Sequence, residues 1–245
     1  MTKRTVRVQQ PASPFEAAQW AGASGTLPTA RPWSTVAQLV PFLLELAGQR
    51  IVDVGAGGSD AVPTLLEAGA EAHAVDPRYR SFAGLFREMQ TYFKTRERLG
   101  RAPGSTEDSA MPIAAQRRAF DHFVVSFQAR RTADRYLPAI ATRLPFPSAS
   151  QDLVYSIDCI TQYLDRDSAT LEAAVREALR ILRPGGRLVL VPFSDEVFAH
   201  GYHALRRDNQ ARLLTLLDAG GFSWRLDDLA PTGLTRSSRL VISAP

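Results

Sequence analysis

Hydrophobic positions along the chain switch repeatedly between a helical and an extended period. Val36, Leu39, Val40, Leu43, Leu44 and Leu46 recur at helical spacing, which predicts a helix over Ser34–Ala47, stopped by Gly48. Arg50-Ile-Val-Asp-Val54 is a short β-branched run bounded by glycines and predicts a buried strand. After a glycine turn, a helix is predicted over Asp60–Ala68 and a second strand over Ala72–Val75. The alternation then breaks. Residues 78–134 predict two helices, about Phe82–Leu99 and Pro112–Phe127, joined by the Gly/Pro/Ser-rich stretch Gly100–Ser109. It resumes with a weak extended segment near Tyr136–Ile140, a strand over Gln151–Ser156 and a helix over Ser168–Leu182. Arg183-Pro-Gly-Gly186 predicts a turn, Arg187–Pro192 a strand and Asp208–Ala219 a helix. Two last extended runs, Phe222–Leu229 and Ser238–Ala244, are joined too closely for a helical crossover and predict an antiparallel hairpin.

Strands alternating with helices imply a mostly parallel sheet covered on both faces. The fold class is therefore α/β: a Rossmann-like seven-stranded sheet, a C-terminal antiparallel hairpin and a helical insertion after the second strand. Residues 1–33, with four prolines among Gly, Ser and Thr, form a loosely structured lead-in; residues 34–245 form one domain with the insertion at about 78–134.

The chemistry clusters in one turn. Val52-Asp53-Val54-Gly55-Ala56-Gly57-Gly58-Ser59-Asp60 joins the first strand to its helix. Open parallel sheets bind ligands at the carboxyl ends of their strands, where this turn lies. Its glycines allow positive φ and close approach of a ligand, although a tight structural turn uses glycine in the same way. Asp53 lies inside the strand, and a buried carboxylate needs a partner: a cationic ligand amine or donors from the loop. The second strand ends in Val75-Asp76, where a carboxylate can accept both hydroxyls of a ribose. A dinucleotide fingerprint requires a glycine three positions after Gly57; Asp60 stands there and would repel a pyrophosphate. The turn thus suits a nucleoside-like, cationic ligand and argues against a dehydrogenase.

These residues, with Leu144-Pro-Phe-Pro147, Gln151-Asp-Leu-Val-Tyr-Ser156 and Leu182-Arg-Pro-Gly-Gly-Arg-Leu188, resemble class I S-adenosylmethionine-dependent methyltransferases, in the group reading LPF, FDLV and LKPGG. The resemblance covers roughly residues 35–76 and 136–245. It implies that Asp53 and the backbone of Gly55, Ala56 and Gly57 surround the methionine part of S-adenosylmethionine. Asp76 would hold the ribose hydroxyls, Pro77 would lie near the adenine, and Ser156 to Asp158 would border the transferred methyl. Two positions depart from the pattern. Ser59 replaces the usual third glycine, and Ile140 stands where the family carries an acidic or polar residue that reads the adenine amino group. Adenine recognition is left to backbone near Ala139, Ile140 and Ala141, or to another side chain.

Methyl transfer from a sulfonium is a displacement in which alignment does much of the work. Candidate general bases are His200, His203, Asp158, Tyr163 and Tyr202; no catalytic residue is singled out, and His200-Gly-Tyr-His203 lacks the ligand set of a metal site.

Charge separates the insertion from the rest. The chain carries 29 basic and 25 acidic residues, net +4, with arginine supplying all but Lys3 and Lys94 of the positive charge. Residues 78–135 hold a net +6 and the remainder −2. Aromatic residues lie among these arginines, so the insertion can be a base-stacking, phosphate-tracking surface, a packed cover with solvated charges, or a lid on an acceptor pocket. The sequence lacks the Asn-Pro-Pro-Tyr type signature after the fourth strand, which favours a small-molecule acceptor over a nucleic acid. The alternatives are an RNA methyltransferase and a cofactor-binding protein without activity. No membrane span or secretory signal is read, and the single cysteine, Cys159, fits a reducing, cytoplasmic setting.

Overall fold

The β-branched run between glycines forms β1 (Arg50–Val54), whose residues after Arg50 are all buried. In the computed structural model the described residues are 30–40, 47–100, 113–129, 132–165, 167–193, 203–229 and 238–245. Before β1 lies α1 (Trp33–Leu39). After it come α2 (Ala61–Glu67), β2 (Glu71–Val75), α3 (Phe82–Gly100) and α4 (Ile113–Gln128). The short β3 (Tyr136–Leu137) is followed by β4 (Gln151–Ile157), α5 (Ser168–Ile181), β5 (Leu182–Val191), α6 (His203–Ala219), β6 (Ser223–Asp228) and β7 (Ser238–Ser243).

The seven strands form one sheet in the order β3-β2-β1-β4-β5-β7-β6. Pairing is parallel from β3 through β5 and antiparallel for β5 with β7 and β7 with β6. The α/β class, the seven strands, the final hairpin and the two inserted helices all agree with the sequence reading. The chain runs outward from β1 to β2 and β3, then returns to place β4 on the other side of β1. That reversal opens a crevice beyond the carboxyl ends of β1 and β4.

Alternate residues of each strand face two cores. On one face Ile51, Ala72, Tyr155 and Val189 meet Val36, Leu65, Met89, Phe93, Phe120 and Phe123 from α1 to α4. On the other, Val52, Val75, Val154, Leu188 and Ile242 meet Leu171, Val175, Leu213 and Leu217 from α5 and α6. β4, in the middle of the sheet, is buried along its whole length, whereas the edge strand β6 keeps Arg225, Asp227 and Asp228 at the rim.

Several local expectations change. Arg183–Gly186 is not a free turn but the irregular start of β5: Gln151 pairs with Leu182 while Leu153 already pairs with Arg187. Gly185 takes φ +76°, a conformation open to glycine, and its N–H donates to the carbonyl of Ala244, so the protruding residues stay tied to the sheet. α6 begins at His203, five residues before the expected Asp208. Residues 41–46 of the first predicted helix and most of the Gly100–Ser109 joint lie outside the described residues, as do 1–29 of the lead-in. The last part of the lead-in is not loose: Ala30 and Arg31 are buried.

The inserted helices are joined to the sheet through their aromatic rings. Phe93, Phe120 and Phe123 are buried, and Phe120 stacks on Phe123 at 5.7 Å between centroids. Phe123 also meets Tyr79 at 6.0 Å and the edge of Tyr136 at 5.3 Å. Base stacking on these rings is therefore not available, and the arginines around them are left to the surface or to partners such as Glu97 for Arg117 and Glu88 for Arg78. Replacing Phe123 by alanine removes the centre of this cluster. The expected loss is ~3–5 kcal/mol of stability in urea unfolding, against under ~0.5 kcal/mol for Val125→Ala on the exposed face of α4.

Candidate functional site

The turn after β1 is shaped by close approach. Gly55 has φ +79°, and a Cβ built there would lie 2.3 Å from Cβ of Cys159, which follows β4. Gly57 also takes a positive φ, +57°. At Gly58 a Cβ would meet Cδ2 of Phe120 at 2.6 Å, so α4 of the insertion rests directly on the turn. Glycine is required at these points because neighbouring elements occupy the space a side chain would fill.

The backbone donors of the turn are largely used within the protein. The N–H groups of Gly55 and Ala56 donate to the carbonyl of Val75 at 2.7 and 3.4 Å. Gly57 donates to Oδ2 of Asp76 at 3.1 Å, and Arg78 donates its N–H to Oδ1 at 2.9 Å. The Asp76 carboxylate thus closes the end of β2 onto the turn and caps the short helical turn Pro77–Arg80. Tyr79 donates its hydroxyl to the carbonyl of Gly57 at 2.8 Å. Each carboxylate oxygen accepts more than one hydrogen bond, so Asp76 keeps capacity for a hydroxyl pair.

Asp53 is 2% exposed and lies on the face of the sheet covered by α1 to α4. Tyr155, its neighbour across β4, donates its hydroxyl to Oδ2 at 3.0 Å, while Oδ1 is buried without a partner. Burial pushes the Asp53 carboxyl up to about 7; the Arg31 guanidinium and the Tyr155 hydroxyl pull it down and Asp76 pushes it further up. Arg31 is buried beside this group and contacts Asp158, beyond β4, at 3.6 Å. Asp158 itself is half exposed and takes φ +53°. Asp60, at the start of α2, is raised by burial and held back by the N–H of Trp33 and by His122 of α4, 3.7 Å away. Burial pushes the Cys159 thiol up to about 12, so it packs against Gly55 as a neutral group.

The structure brings Asp53, Gly55, Ala56, Gly57, Asp76 and Pro77 together at the carboxyl ends of β1 and β2. Ile140 and Ala141 are buried in the segment after β3, where the Ile140 carbonyl accepts the N–H of Arg143 at 3.0 Å. That carbonyl is already committed, so Ile140 has less freedom to read a base through its backbone than the sequence alone suggests. Ser156 is fully buried at the end of β4, and its Oγ accepts the N–H of Ile160 at 3.0 Å. Among the candidate bases, Tyr163 is buried in the core beside Ile160 and Leu164. His200, Tyr202 and the side chain of His203 lie outside the described residues. Among the described residues no group of His, Cys, Asp and Glu could hold a metal ion, and no helix is long and apolar enough to cross a membrane.

Sequence reasoning missed Arg31 and Tyr155. Nothing in Ala30-Arg-Pro-Trp33 marks the arginine as buried, although Pro32 holds the residue before it extended. Tyr155 could have been found from strand alternation, because it and Asp53 share one face in register.

Comparison with known proteins follows this geometry. A methyltransferase-domain family model matches residues 105–190, from the insertion through β4 into β5. Residues 105–190 are thus similar to a methyltransferase domain. The match includes the Leu144–Pro147, β4 and Pro-Gly-Gly segments; the glycine turn lies outside it and rests on its own residues. A ubiquinone/menaquinone biosynthesis C-methyltransferase of Cronobacter sakazakii is 33% identical over 103 residues, 38% of each chain. The corresponding protein of Vibrio vulnificus is 35% identical over 78 residues, 29% of this chain and 28% of that one. The similarity thus spans well under half the length of these curated relatives. A solved geranyl diphosphate methyltransferase, bound to GPP and sinefungin, superposes with a TM-score of 0.50 at 12% identity over 86% of this chain and 77% of that one, which shows a shared fold.

The raised Asp53 carboxyl has a consequence for stability. The folded protein keeps this proton up to about pH 7, whereas the unfolded chain releases it near the ordinary carboxylate value. Between those values the native state binds more protons, so the Asp53 contribution makes stability fall as pH rises from ~4 to ~7, by at most ~1.4 kcal/mol per unit, and level off above. Asp53→Asn removes that slope. Urea unfolding of the two proteins at a series of pH values should show the variant gaining on the wild type with rising pH; parallel curves would refute the assignment.

Proposed function

We propose that the chain is a methyltransferase that binds S-adenosylmethionine in the crevice after β1 and acts on a small-molecule acceptor. The observation that carries this reading is the partnerless buried Oδ1 of Asp53 beside a glycine turn that ends under Asp76. A buried carboxylate oxygen without a donor is costly, and an ammonium group entering the crevice would satisfy it. Asp76 marks the ribose end, and Gly55, Ala56 and Gly57 lie between the two carboxylates. The proposed cofactor set also includes Pro77, which follows Asp76, and Ile140, Ala141 and Ser156, which follow β3 or end β4. When bound, the cofactor supplies a methyl group made electrophilic by its sulfonium. The protein binds and orients it.

Two features support a small acceptor. Phe93, Phe120 and Phe123 of the basic insertion are buried and Phe120 packs over the glycine turn, which supports a role for the insertion as a wall of the site. The curated relatives, similar over part of their length, are ubiquinone/menaquinone biosynthesis C-methyltransferases, which supports a small acceptor. A cytoplasmic setting belongs to the same reading, supported by the free, neutral thiol of Cys159. Residues 34–245 then form one methyltransferase domain, with 78–134 as its helical insertion.

Calorimetry with S-adenosylmethionine tests this. The wild type should bind, and Asp76→Ala should weaken binding ~10–100-fold, the loss expected when charge-assisted hydrogen bonds to a hydroxyl pair are removed. Unchanged affinity in the variant, or no binding by the wild type, would overturn the assignment. Transfer of a labelled methyl group into the small-molecule fraction of a cell extract should then identify the acceptor class.

A further inference from the structure

The outer surface of the insertion carries charge that the crevice does not use. In α3 the buried residues Leu85, Met89 and Phe93 recur every fourth position and fix which face meets the sheet. Arg87, Thr91, Lys94 and Arg98 lie on the opposite face, and all four are exposed. The acids of the helix stand at its flanks and are engaged there: Glu88 meets Arg78 at 2.9 Å, and Glu97 meets Arg117 of α4. Among the described residues no acid pairs with Arg87, Lys94 or Arg98. The outcome is a ridge of three cations along one side of a helix, ~16 Å long at 1.5 Å per residue.

Like charges on one helix face repel, and Lys94 and Arg98 are four apart, so the ridge gains from an anionic partner. A second copy of this face would set cation against cation. A nucleic acid is less well matched, because Phe93, Phe120 and Phe123 are buried and Thr91 is the one neutral polar side chain on the ridge. A bilayer surface is flat on this scale and meets all three cations at once. Phe86, beside the ridge and 39% exposed, adds an apolar edge; its ring packs on Phe82 and Phe120 at 6.0 and 5.8 Å. Residues 78–135 carry net +6 and the remainder −2, so a negative surface attracts the insertion and turns the rest of the chain away.

We propose that the Arg87, Lys94 and Arg98 ridge docks the protein on an anionic phospholipid surface, with α3 lying along it and Phe86 at its apolar edge. The attachment is electrostatic and peripheral, and it does not depend on the cofactor reading. Each basic side chain close to such a surface strengthens binding ~5-fold, so the three together supply ~100-fold.

Sedimentation of the full chain with vesicles tests this, using phosphatidylcholine alone and a three-to-one mixture of phosphatidylcholine and phosphatidylglycerol. The wild type should sediment with the mixed vesicles only, and be released at ~1 M salt, where the screening length falls to ~3 Å. The triple variant Arg87→Gln, Lys94→Gln, Arg98→Gln should lose ~100-fold in affinity and, because these side chains are exposed, keep the wild-type urea midpoint. A control triple, Arg176→Gln, Arg212→Gln, Arg225→Gln, removes the same charge from α5, α6 and β6 and should bind within ~2-fold of the wild type. Absence of wild-type binding to the mixed vesicles, or equal binding to the neutral ones, overturns the proposal without any variant. An equal loss in the control triple also overturns it, because net charge and not the ridge would then be responsible. Tighter wild-type binding to polyuridylate than to the mixed vesicles, lost in the ridge variant, overturns the lipid assignment and makes the ridge a nucleic-acid face.

Discussion

A carboxylate buried in the middle of a parallel sheet sets the terms for everything around it. Asp53 occupies a position that a β-branched residue would fill without cost, on the face shared with Ile51 and Tyr155. Tyr155 satisfies one of its oxygens and the Arg31 guanidinium stabilises its charge from a distance, yet burial still outweighs both. The fold tolerates this because the site lies where the sheet reverses its winding order, so the strand ends on either side diverge and leave room for a ligand. An ionisable group buried at such a cost is a familiar mark of a functional position.

The elements nearest Asp53 are organised to hold that crevice rather than to fill it. Gly55 lets Cys159 approach to a distance no side chain allows, and Gly58 admits the ring of Phe120. Asp76 joins the turn to the end of β2, and Ser59 joins it to the segment carrying Arg31. Four separate stretches of chain, before α1, after β1, after β2 and after β4, are thus fixed relative to one another by short hydrogen bonds and tight contacts. Such a preorganised arrangement suits a reaction that depends chiefly on alignment.

The insertion shows how a charge pattern leaves several uses open until the packing is seen. Arginines and aromatic residues do concentrate between β2 and β3, as the composition indicates. The rings, however, stack with one another and with Tyr79 and Tyr136 to bury two helices against the sheet. Burying rings of this size against the sheet removes their apolar surface from water in the folded protein itself, so the helices face inward and the arginines remain at the rim.

Periodicity alone determined the order and type of the elements, because runs such as Arg50–Val54 and Gln151–Ile157 are strand-like locally and lie between strong stops. The glycine turn, Asp53 and Asp76 were equally legible, since unusual residue types stood where the strands end. Only the tertiary structure decided what those residues touch. That Ser156 spends its hydroxyl on Ile160, that the Ile140 carbonyl is taken by Arg143, and that Arg183–Gly186 stays within the sheet are all set by neighbours distant in sequence or by local backbone geometry. Arg31 is the clearest case. It sits 22 positions before Asp53 in an unremarkable Pro-rich segment, and its burial depends on one hydroxyl of the turn reaching its carbonyl. Local pattern can specify a strand or a turn; bringing two buried ionisable side chains to one place requires the chain to be folded around both.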